Sequence, residues 1–336
     1  MKFDNYLLKL EDNINKKHKE NICLHGVSPI IKSIYLDIKK KGYGEIKKVL
    51  FELKIPYQTL YSWISGSNPT PISKAYNLLR YWEKVCKKTE AEFVEKWNQL
   101  YEINEGYSQN SQRKVILPKK INENLGYMAG FFQGDGHLKK REIKKFQEYS
   151  IYFYENNEEN LKIIDNIICK EFNIKGRIYL GSNKNGHKWC TLRISSKPIY
   201  LFFEKVLNLR TGKKVRKVDV PKIIKKSKQN IQLSFIKGFF DAEGGVGETK
   251  KNPWLDIGQA SKEIPCEILP WIRNKLNENG IILSEPKRTK NQEFFRIRTA
   301  KRETIKRFFD IVSSNHLEKR IKFKKIIKNV KSKNRT

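Results

Sequence analysis

Two acidic residues stand at matching places in a stretch of sequence that occurs twice. The first stretch, residues 125–138, reads LGYMAGFFQGDGHL, and the second, residues 233–246, reads LSFIKGFFDAEGGV. Asp135 and Glu243 each follow a Gly-Phe-Phe segment, and the offset between the two copies is constant along their length. A repeat at this long spacing predicts two copies of one supersecondary unit.

Each copy predicts a helix with a strip of small residues on one face. The small residues recur four positions apart, as Gly130 with Gly134 and Gly238 with Ala242. Because glycine inside a helix costs about 1 kcal/mol relative to alanine, we expect close contact between the two helices. The phenylalanine pairs then face the cores of their own repeats. Asp135 and Glu243 would meet at two negative helix ends, where divalent cations stabilise paired carboxylates.

The two stretches resemble the paired motif of the single-chain LAGLIDADG homing endonucleases. Aligned to that nine-letter motif, the copies are residues 128–136 and 236–244. The resemblance places the family's metal-binding acid at Asp135 and Glu243. The earlier acidic position is Asp241 in the second copy but Gln133 in the first, and it is not the expected metal ligand. The resemblance covers about residues 120–330 and implies a monomer that cuts double-stranded DNA at a specific site.

The composition indicates a polyanionic partner. Lysine and arginine number 69 against 36 acidic residues, so the formal net charge is +33, spread along the whole chain. An excess of this size is typical of nucleic-acid-binding proteins. No apolar run approaches the ~18 residues of a membrane span, and the first residues contain no signal-peptide core, so we expect a cytoplasmic protein without a membrane partner. The five scattered cysteines form no Cys-x-x-Cys pair, which argues against zinc or disulfides.

Residues 1–112 are predicted to form a small all-α domain. Residues 46–53 and 57–64 carry apolar stripes on either side of Pro56, a pattern that resembles a helix-turn-helix DNA-binding segment. An ordinary α-hairpin that only packs is the alternative. The polar stretch 104–112 is predicted to be a linker. The candidates for contacting base edges are Gln58, Thr59 and Tyr61.

Two repeats, residues 113–222 and 223–336, follow this domain. Hydrophobic periodicity predicts helices at 158–172, 197–209, 264–279 and 301–312, and strands at 149–154, 176–180, 189–195, 254–259, 281–286 and 294–299. With the motif helices, this order matches the αββαββα half of the family. The predicted fold is therefore α/β, with two pseudo-twofold-related αββαββα repeats after the all-α domain.

The predicted strands have one aliphatic face and one face of basic, aromatic and hydroxyl side chains. Such a sheet could dock on the major groove of DNA. A half-exposed sheet with solvated charges is the alternative for any single strand. The candidate DNA-binding residues are Arg177, Tyr179, Trp189, Arg193, Arg296 and Arg298.

Basic runs follow both repeats at similar distances from the acids, at residues 213–221 and 317–324. Family members often keep a basic residue here that orients solvent around the metals. By resemblance this role falls on Lys217 and Lys322, with Lys319 as a competing choice. Simple contact with the phosphate backbone is the alternative for either run.

The predicted activity is Mg²⁺-dependent hydrolysis of DNA phosphodiester bonds, since carboxylate ligands without a histidine cluster suit Mg²⁺. The alternative is a non-cleaving relative, either an intron maturase that acts on RNA or a transcription regulator. Retention of Asp135 and Glu243 favours the nuclease. Because residue 1 is Met and the last residues are Asn-Arg-Thr, a splicing intein is not expected, and a free-standing or intron-encoded enzyme is.

Overall fold

A computed structural model describes residues 3, 5–10, 21–109, 113–143, 146–182, 188–210, 218–249, 252–261, 267–289 and 293–331 of the chain. Within this part of the chain, a mainly helical N-terminal region precedes two αββαββα repeats. None of its helices is long and apolar enough to cross a membrane.

The N-terminal region contains the predicted helices together with a small sheet. Its helices are α1 Ser28–Lys39, α2 Tyr43–Leu53, α3 Tyr57–Ser65, α4 Ile72–Val85 and α5 Glu90–Ile103. The strands β1 Ile22–His25, β2 Thr70–Pro71 and β3 Gly106–Gln109 form an antiparallel sheet in the order β2-β1-β3. The sheet was not predicted, because strands of two to four residues show no usable alternation.

Strand β3 lies in the stretch predicted as a linker. It pairs along β1, from Ile22 opposite Gln109 to His25 opposite Gly106. Residues 106–109 are therefore held in a sheet, and the polar composition of 104–112 was misleading about this segment. The domain boundary near residue 112 stays a prediction, since residues 110–112 lie outside the described residues.

The helix-turn-helix segment has the predicted arrangement of α2 and α3. The buried side chains Val49 and Leu53 of α2 and Leu60 and Trp63 of α3 form the predicted stripes. Helix α2 ends where Lys54 adopts a left-handed conformation, with φ of 52°. Pro56 then precedes the first turn of α3 in an extended conformation, which stops α2 and starts α3.

The first repeat consists of α6 Glu123–Asp135, β4 Gly136–Ile143, β5 Phe146–Glu155, α7 Glu158–Phe172, β6 Arg177–Ser182, β7 Lys188–Ser195 and α8 Lys197–Leu201. After the short α9 Lys222–Lys225, the second consists of α10 Gln229–Glu243, β8 Gly244–Thr249, β9 Asn252–Ala260, α11 Ile268–Glu278, β10 Lys287–Arg288, β11 Phe294–Thr299 and α12 Arg302–Ile311, followed by α13 Leu317–Lys331. Their antiparallel sheets are ordered β4-β5-β7-β6 and β8-β9-β11-β10. The predicted repeats are confirmed.

The elements differ from the prediction mainly where pairing outweighs the local pattern. Strands β4 and β8 were not located from the sequence, although each begins at the glycine that ends a motif. The predicted strand 281–286 is not a strand, although its Ser284 amide donates to the carbonyl oxygen of Arg298 at 2.9 Å, and only Lys287–Arg288 joins the sheet. The predicted helix 197–209 is α8 continued by a π-helical turn, Phe202–Val206. Strand formation depends on an available partner, which periodicity does not report.

Helices α6 and α10 pack against each other through their glycines. A Cβ atom built on Gly130 would overlap the carbonyl oxygen of Phe235, and one built on Gly238 would overlap the carbonyl oxygen of Tyr127. A Cβ on Gly126 would lie 2.7 Å from the carbonyl oxygen of Ile231. Because the obstructing atoms belong to backbone, the contact requires glycine. The predicted close approach of the motif helices is confirmed.

The phenylalanine pairs of the motifs face opposite cores, as predicted. In the first repeat Phe132 packs edge-on against Phe153 and Phe203, at 5.9 and 5.7 Å between ring centroids. In the second repeat Phe240 contacts Phe308 at 4.8 Å. Each repeat thus closes its own aromatic core behind the shared pair of motif helices.

The N-terminal residues are attached to the first repeat. The rings of Phe3 and Tyr6 pack edge-on against Phe202, at 5.5 and 5.7 Å. The Tyr6 hydroxyl donates to the carbonyl oxygen of Pro118 at 3.0 Å, and the Phe3 amide donates to that of Lys119 at 2.9 Å. The N-terminal region is therefore fixed to the repeat by aromatic packing and by hydrogen bonds.

The helix contact generates the first prediction. We expect Gly130→Ala to destabilise the protein by at least about 1–3 kcal/mol, because the added methyl group meets backbone that cannot move aside. Gly44→Ala is the matched control, since Gly44 lies in α2 with open space around it, and it should be neutral or stabilising by up to about 1 kcal/mol. Urea unfolding of both variants measures the difference, and equal stabilities would contradict the proposed role of Gly130.

Candidate active site

The two motif acids are the last residues of the two packed helices. Asp135 ends α6 and Glu243 ends α10, and both side chains are half-buried. A Cβ atom built on Gly134 would lie 2.8 Å from Cγ and 3.5 Å from Oε1 of Glu243. The side chain of Glu243 therefore lies against the end of α6, directly beside the residue that precedes Asp135. This places the second acid at the helix end that carries the first, as the sequence predicted.

Lys319 of α13 lies close to both acids. Its Nζ donates hydrogen bonds of 2.7 Å to the carbonyl oxygens of Phe240 and Asp241, in the last turn of α10. Burial lowers the pKa of Lys319, and the negative charges of Asp241, Glu155, Asp135 and Glu243 act in the opposite direction. A cation at the carbonyl end of a helix is also favoured by the helix dipole.

Among the three predicted lysines, the structure thus places the competing choice, Lys319, beside the acids. Lys322 lies one turn further along α13, and its side chain is exposed. Lys217 lies outside the described residues. The catalytic role of each lysine stays a prediction. A basic run identifies the helix but not the inward-facing position, because side-chain direction depends on how α13 packs.

The side chain at the earlier acidic position of each motif, Asp241 or Gln133, forms hydrogen bonds to the segment that follows its repeat. The buried carboxylate of Asp241 accepts hydrogen bonds from the Tyr127 hydroxyl at 3.0 Å, the Asn315 amide at 2.8 Å and the Ser314 hydroxyl. Burial raises the pKa of Asp241, and the Ser314 and Asn315 hydrogen bonds oppose that rise.

Gln133 occupies the same position in the first copy and makes a comparable attachment. Its side chain is buried, and Nε2 donates to the carbonyl oxygen of Asp219 at 2.5 Å. An amide can therefore replace the acid here, because the position needs a hydrogen-bonding group that reaches the following segment. This accounts for the difference between the two motifs.

Two further ionisable residues near Lys319 were missed from the sequence. Glu155 ends β5, and His316 immediately precedes α13, with 3.6 Å between Oε2 and Nε2. Burial alone would raise the pKa of Glu155, but the nearby His316 ring and the hydrogen bond from the Asn156 amide lower it overall. Neither residue belongs to a motif, and they are far apart in the chain. Only the tertiary fold could identify the pair.

The predicted DNA-binding residues of the first sheet share one face. In β7, Cys190, Leu192 and Ile194 are buried, while Trp189 is exposed and Arg193 is partly exposed on the other face. Arg177 and Tyr179 of β6 are also exposed and lie opposite Arg193 and Thr191. A cleft of about 350 Å³ opens beside them, and its basic lining residues are Arg113, Lys175, Arg177 and Arg193.

The second sheet repeats this arrangement. Arg298 is exposed, and Arg296 is partly exposed and pairs with Asp256 at 3.2 Å. A cleft of about 520 Å³ lies at the corresponding edge, with Lys287, Arg288, Arg296 and Arg298 in its lining. In the first sheet Arg193 pairs with Glu148 in the same manner. Each repeat thus brings its predicted arginines together on one cationic face of its own sheet.

The second helix of the helix-turn-helix segment exposes the predicted side chains. Gln58 and Tyr61 of α3 are exposed, whereas Thr59 is half-buried. Its carbonyl oxygen accepts a hydrogen bond of 2.8 Å from the Ser62 hydroxyl, so Ser62 is turned back onto the helix. The exposed face is available for a partner, and its contact with bases stays a prediction.

The donor set at the helix ends fits a hard divalent cation. Within the described ranges, no group of three His, Cys, Asp or Glu residues could hold a metal ion. Asp135 and Glu243 would therefore supply two carboxylate ligands, and oxygens of water or of a phosphate would supply the others. Mg²⁺ commonly keeps several waters and is bound by one or two carboxylates.

Several known proteins are similar to parts of this chain. Residues 122–207 match the family model of a LAGLIDADG-like domain. Homing endonuclease I-ApeI of Aeropyrum pernix is 25% identical over 190 residues, which cover 54% of this chain and 79% of that protein. The tRNA-splicing ligase RtcB of Pyrococcus furiosus is 30% identical over 139 residues, or 40% of this chain. This second match spans only 14% of the length of the ligase.

Two solved structures match part of this chain. The structure of I-DmoI in complex with DNA and Mn has a TM-score of 0.42 at 24% identity, covering 58% of this chain and 98% of that chain. LAGLIDADG homing endonuclease I-GzeII in complex with its DNA target has a TM-score of 0.43 at 15% identity, covering 64% and 92%. The chain thus contains a LAGLIDADG-like domain at residues 122–207, and its second repeat carries another copy of the motif at residues 236–244.

Proposed function

We propose that the chain is a site-specific endonuclease that hydrolyses phosphodiester bonds of double-stranded DNA, as a monomer and with Mg²⁺. The observation that carries this proposal is the placement of Asp135 and Glu243 at adjoining helix ends, with Lys319 beside them. The name of the relative I-ApeI, a homing endonuclease, supports the same activity.

The proposed chemistry addresses the two reasons why a phosphodiester is slow to hydrolyse. Its negative charge repels nucleophiles, and its leaving alkoxide is poor. Asp135 and Glu243 would hold Mg²⁺, which when bound neutralises phosphate charge and lowers the pKa of a water ligand. The Lys319 ammonium, fixed by two carbonyl oxygens, adds positive charge at the position where a phosphate would approach the two acids.

Each of the two repeats would act mainly on one of the two DNA strands. Each repeat supplies one acid and one cationic sheet face, so a single chain contains both halves of the site. The sheet faces would dock on the major groove, with arginines that donate to bases and phosphates. Glu148 and Asp256 hold Arg193 and Arg296 in place on those faces. The exposed face of α3 supplies a second contact with DNA.

The alternative is a catalytically inactive relative that binds DNA or RNA. Such a protein would need the cationic faces but not the acids. The retention of both carboxylates at packed helix ends favours cleavage, because two half-buried carboxylates placed together oppose each other unless a cation is bound.

The acids generate the decisive prediction. Asp135→Asn and Glu243→Gln remove charge with little change in shape, so each variant should fold and bind DNA while double-strand cleavage with Mg²⁺ is abolished. Either variant could still nick one strand, since each acid belongs mainly to one half. The control Asp310→Asn changes an exposed carboxylate of α12. Supercoiled plasmid carrying a target selected from a randomised library is the substrate, and parental rates in both variants would refute the mechanism.

Salt dependence tests the mode of DNA binding. We expect the logarithm of the affinity to fall steeply with the logarithm of the salt concentration, because lysines and arginines release counterions from phosphates. With about 6–10 phosphates neutralised, affinity should fall by roughly 10³–10⁵ between 50 and 200 mM salt. Fluorescence anisotropy with a labelled duplex measures the slope, and a flat plot would exclude binding dominated by the phosphate backbone.

The helix-turn-helix segment is tested separately. Gln58→Ala and Tyr61→Ala should weaken binding to the selected target by about 1–3 kcal/mol if these side chains contact base edges. The control Gln99→Ala lies on α5, outside the helix pair. Unchanged affinity in both α3 variants, with the fold intact by circular dichroism, would favour the α-hairpin that only packs.

A further inference from the structure

The segment between α12 and α13 contacts both repeats. Ser314 and Asn315 bond to Asp241 of α10, in their own repeat. The amide of Leu317 donates to Oδ1 of Asn160, in the first repeat, at 3.4 Å. His316 contacts Glu155, also in the first repeat, at 3.6 Å. The start of α13 is thus held from two sides.

Glu155 and His316 form a buried contact between the repeats. Both side chains are only 11% exposed. The low pKa of Glu155, which follows from His316, the Asn156 amide and the charge of Lys319 despite burial, keeps it ionised at neutral pH. The amide of His316 also donates to the Ser314 hydroxyl at 3.1 Å. A buried carboxylate is tolerated only when partners compensate its desolvation, so this contact has a defined geometry.

The start of α13 determines where Lys319 lies. Lys319 follows His316 by three residues, about one helical turn. With α13 beginning at this place, its Nζ donates to the carbonyl oxygens of Phe240 and Asp241. A shift of the helix start by one residue would turn the lysine by about 100° away from the helix ends.

The second repeat has no matching carboxylate. Gly136 pairs with Phe153, and Gly244 pairs with Ile257, so the registers align Glu155 with Gln259. Gln259 is a buried neutral amide. The strand therefore does not need a carboxylate at this position. The carboxylate occurs only in the first repeat, next to the start of α13.

We propose that Glu155 and His316 are positioning residues that hold the start of α13 on the first repeat and thereby keep Lys319 beside Asp135 and Glu243. Neither residue touches the substrate. This inference rests on the proposed function only for the role of Lys319 in cleavage. The placement of Lys319 itself can be measured without cleavage.

The first experiment measures the reactivity of the Lys319 amine in the folded protein. Acetic anhydride labelling followed by peptide mass spectrometry should find Lys319 slow in the parent. Glu155→Gln and His316→Leu should speed its acetylation by about tenfold, as expected for the loss of a coupled contact. Because Glu155→Gln also removes a charge that raises the pKa of Lys319, His316→Leu is the variant that reports the placement of the lysine without this effect. Glu159→Gln is the matched control, because Glu159 is an exposed residue of α7 near Glu155 in the chain, and it should leave the labelling rate of Lys319 unchanged.

His316→Gln keeps a side-chain donor and should restore slow labelling, whereas His316→Leu only fills the space. This comparison separates the polar contact with Glu155 from packing, and thermal unfolding confirms that each variant is folded. Should His316→Leu not fold, Glu155→Gln and His316→Gln still decide the question. Parental reactivity of Lys319 in Glu155→Gln would overturn the proposal.

The second experiment is a double-mutant cycle on plasmid cleavage. Glu155→Gln should lower the rate about tenfold in the parent but not in a Lys319→Met background, because the glutamate acts through the lysine. Equal rate losses in both backgrounds would overturn this route. A parent that never cleaves any target would refute the proposed function, while the acetylation result would still decide the placement of Lys319.

Discussion

The rest of this structure depends on the direct backbone contact between α6 and α10. Gly130 faces the carbonyl of Phe235, and Gly238 faces the carbonyl of Tyr127, so the contact is reciprocal. Because the helices pack along their length, their last residues lie side by side. The same contact turns both phenylalanine pairs outward, where each completes an aromatic core. A single pair of glycines thus joins the repeats and brings the acids together.

The second constraint acts at the ends of those helices. Asp241 and Gln133 occupy equivalent buried positions, and each bonds to the segment that leaves its repeat. A buried carboxylate is stable here because three donors satisfy it, and its charge is close to Lys319. The two repeats therefore share a fold while their electrostatics differ. The second repeat has an acid where the first has a neutral amide, so the two halves of the site differ in charge at this position.

Part of the chain's positive charge lies on the sheet faces. Arg177 lies directly opposite Arg193 in adjacent strands, and like charges in such pairs are destabilising. Glu148 relieves part of this repulsion, as Asp256 does for Arg296 in the second repeat. An anionic partner would remove the remaining repulsion on binding.

The sequence alone determined the duplication, the order of most elements, the motif acids and the alternating sheet faces, because each of these is written in local spacing. Helix α7 and strand β11 have the predicted ends. Tertiary structure decided the rest. The strands β1, β3, β4 and β8 form because partners are available. The placement of Lys319 at the end of α10 depends on how α13 packs, and the contact of Glu155 with His316 joins residues of different repeats. Such contacts follow from packing over long chain distances, which periodicity in a single sequence does not encode.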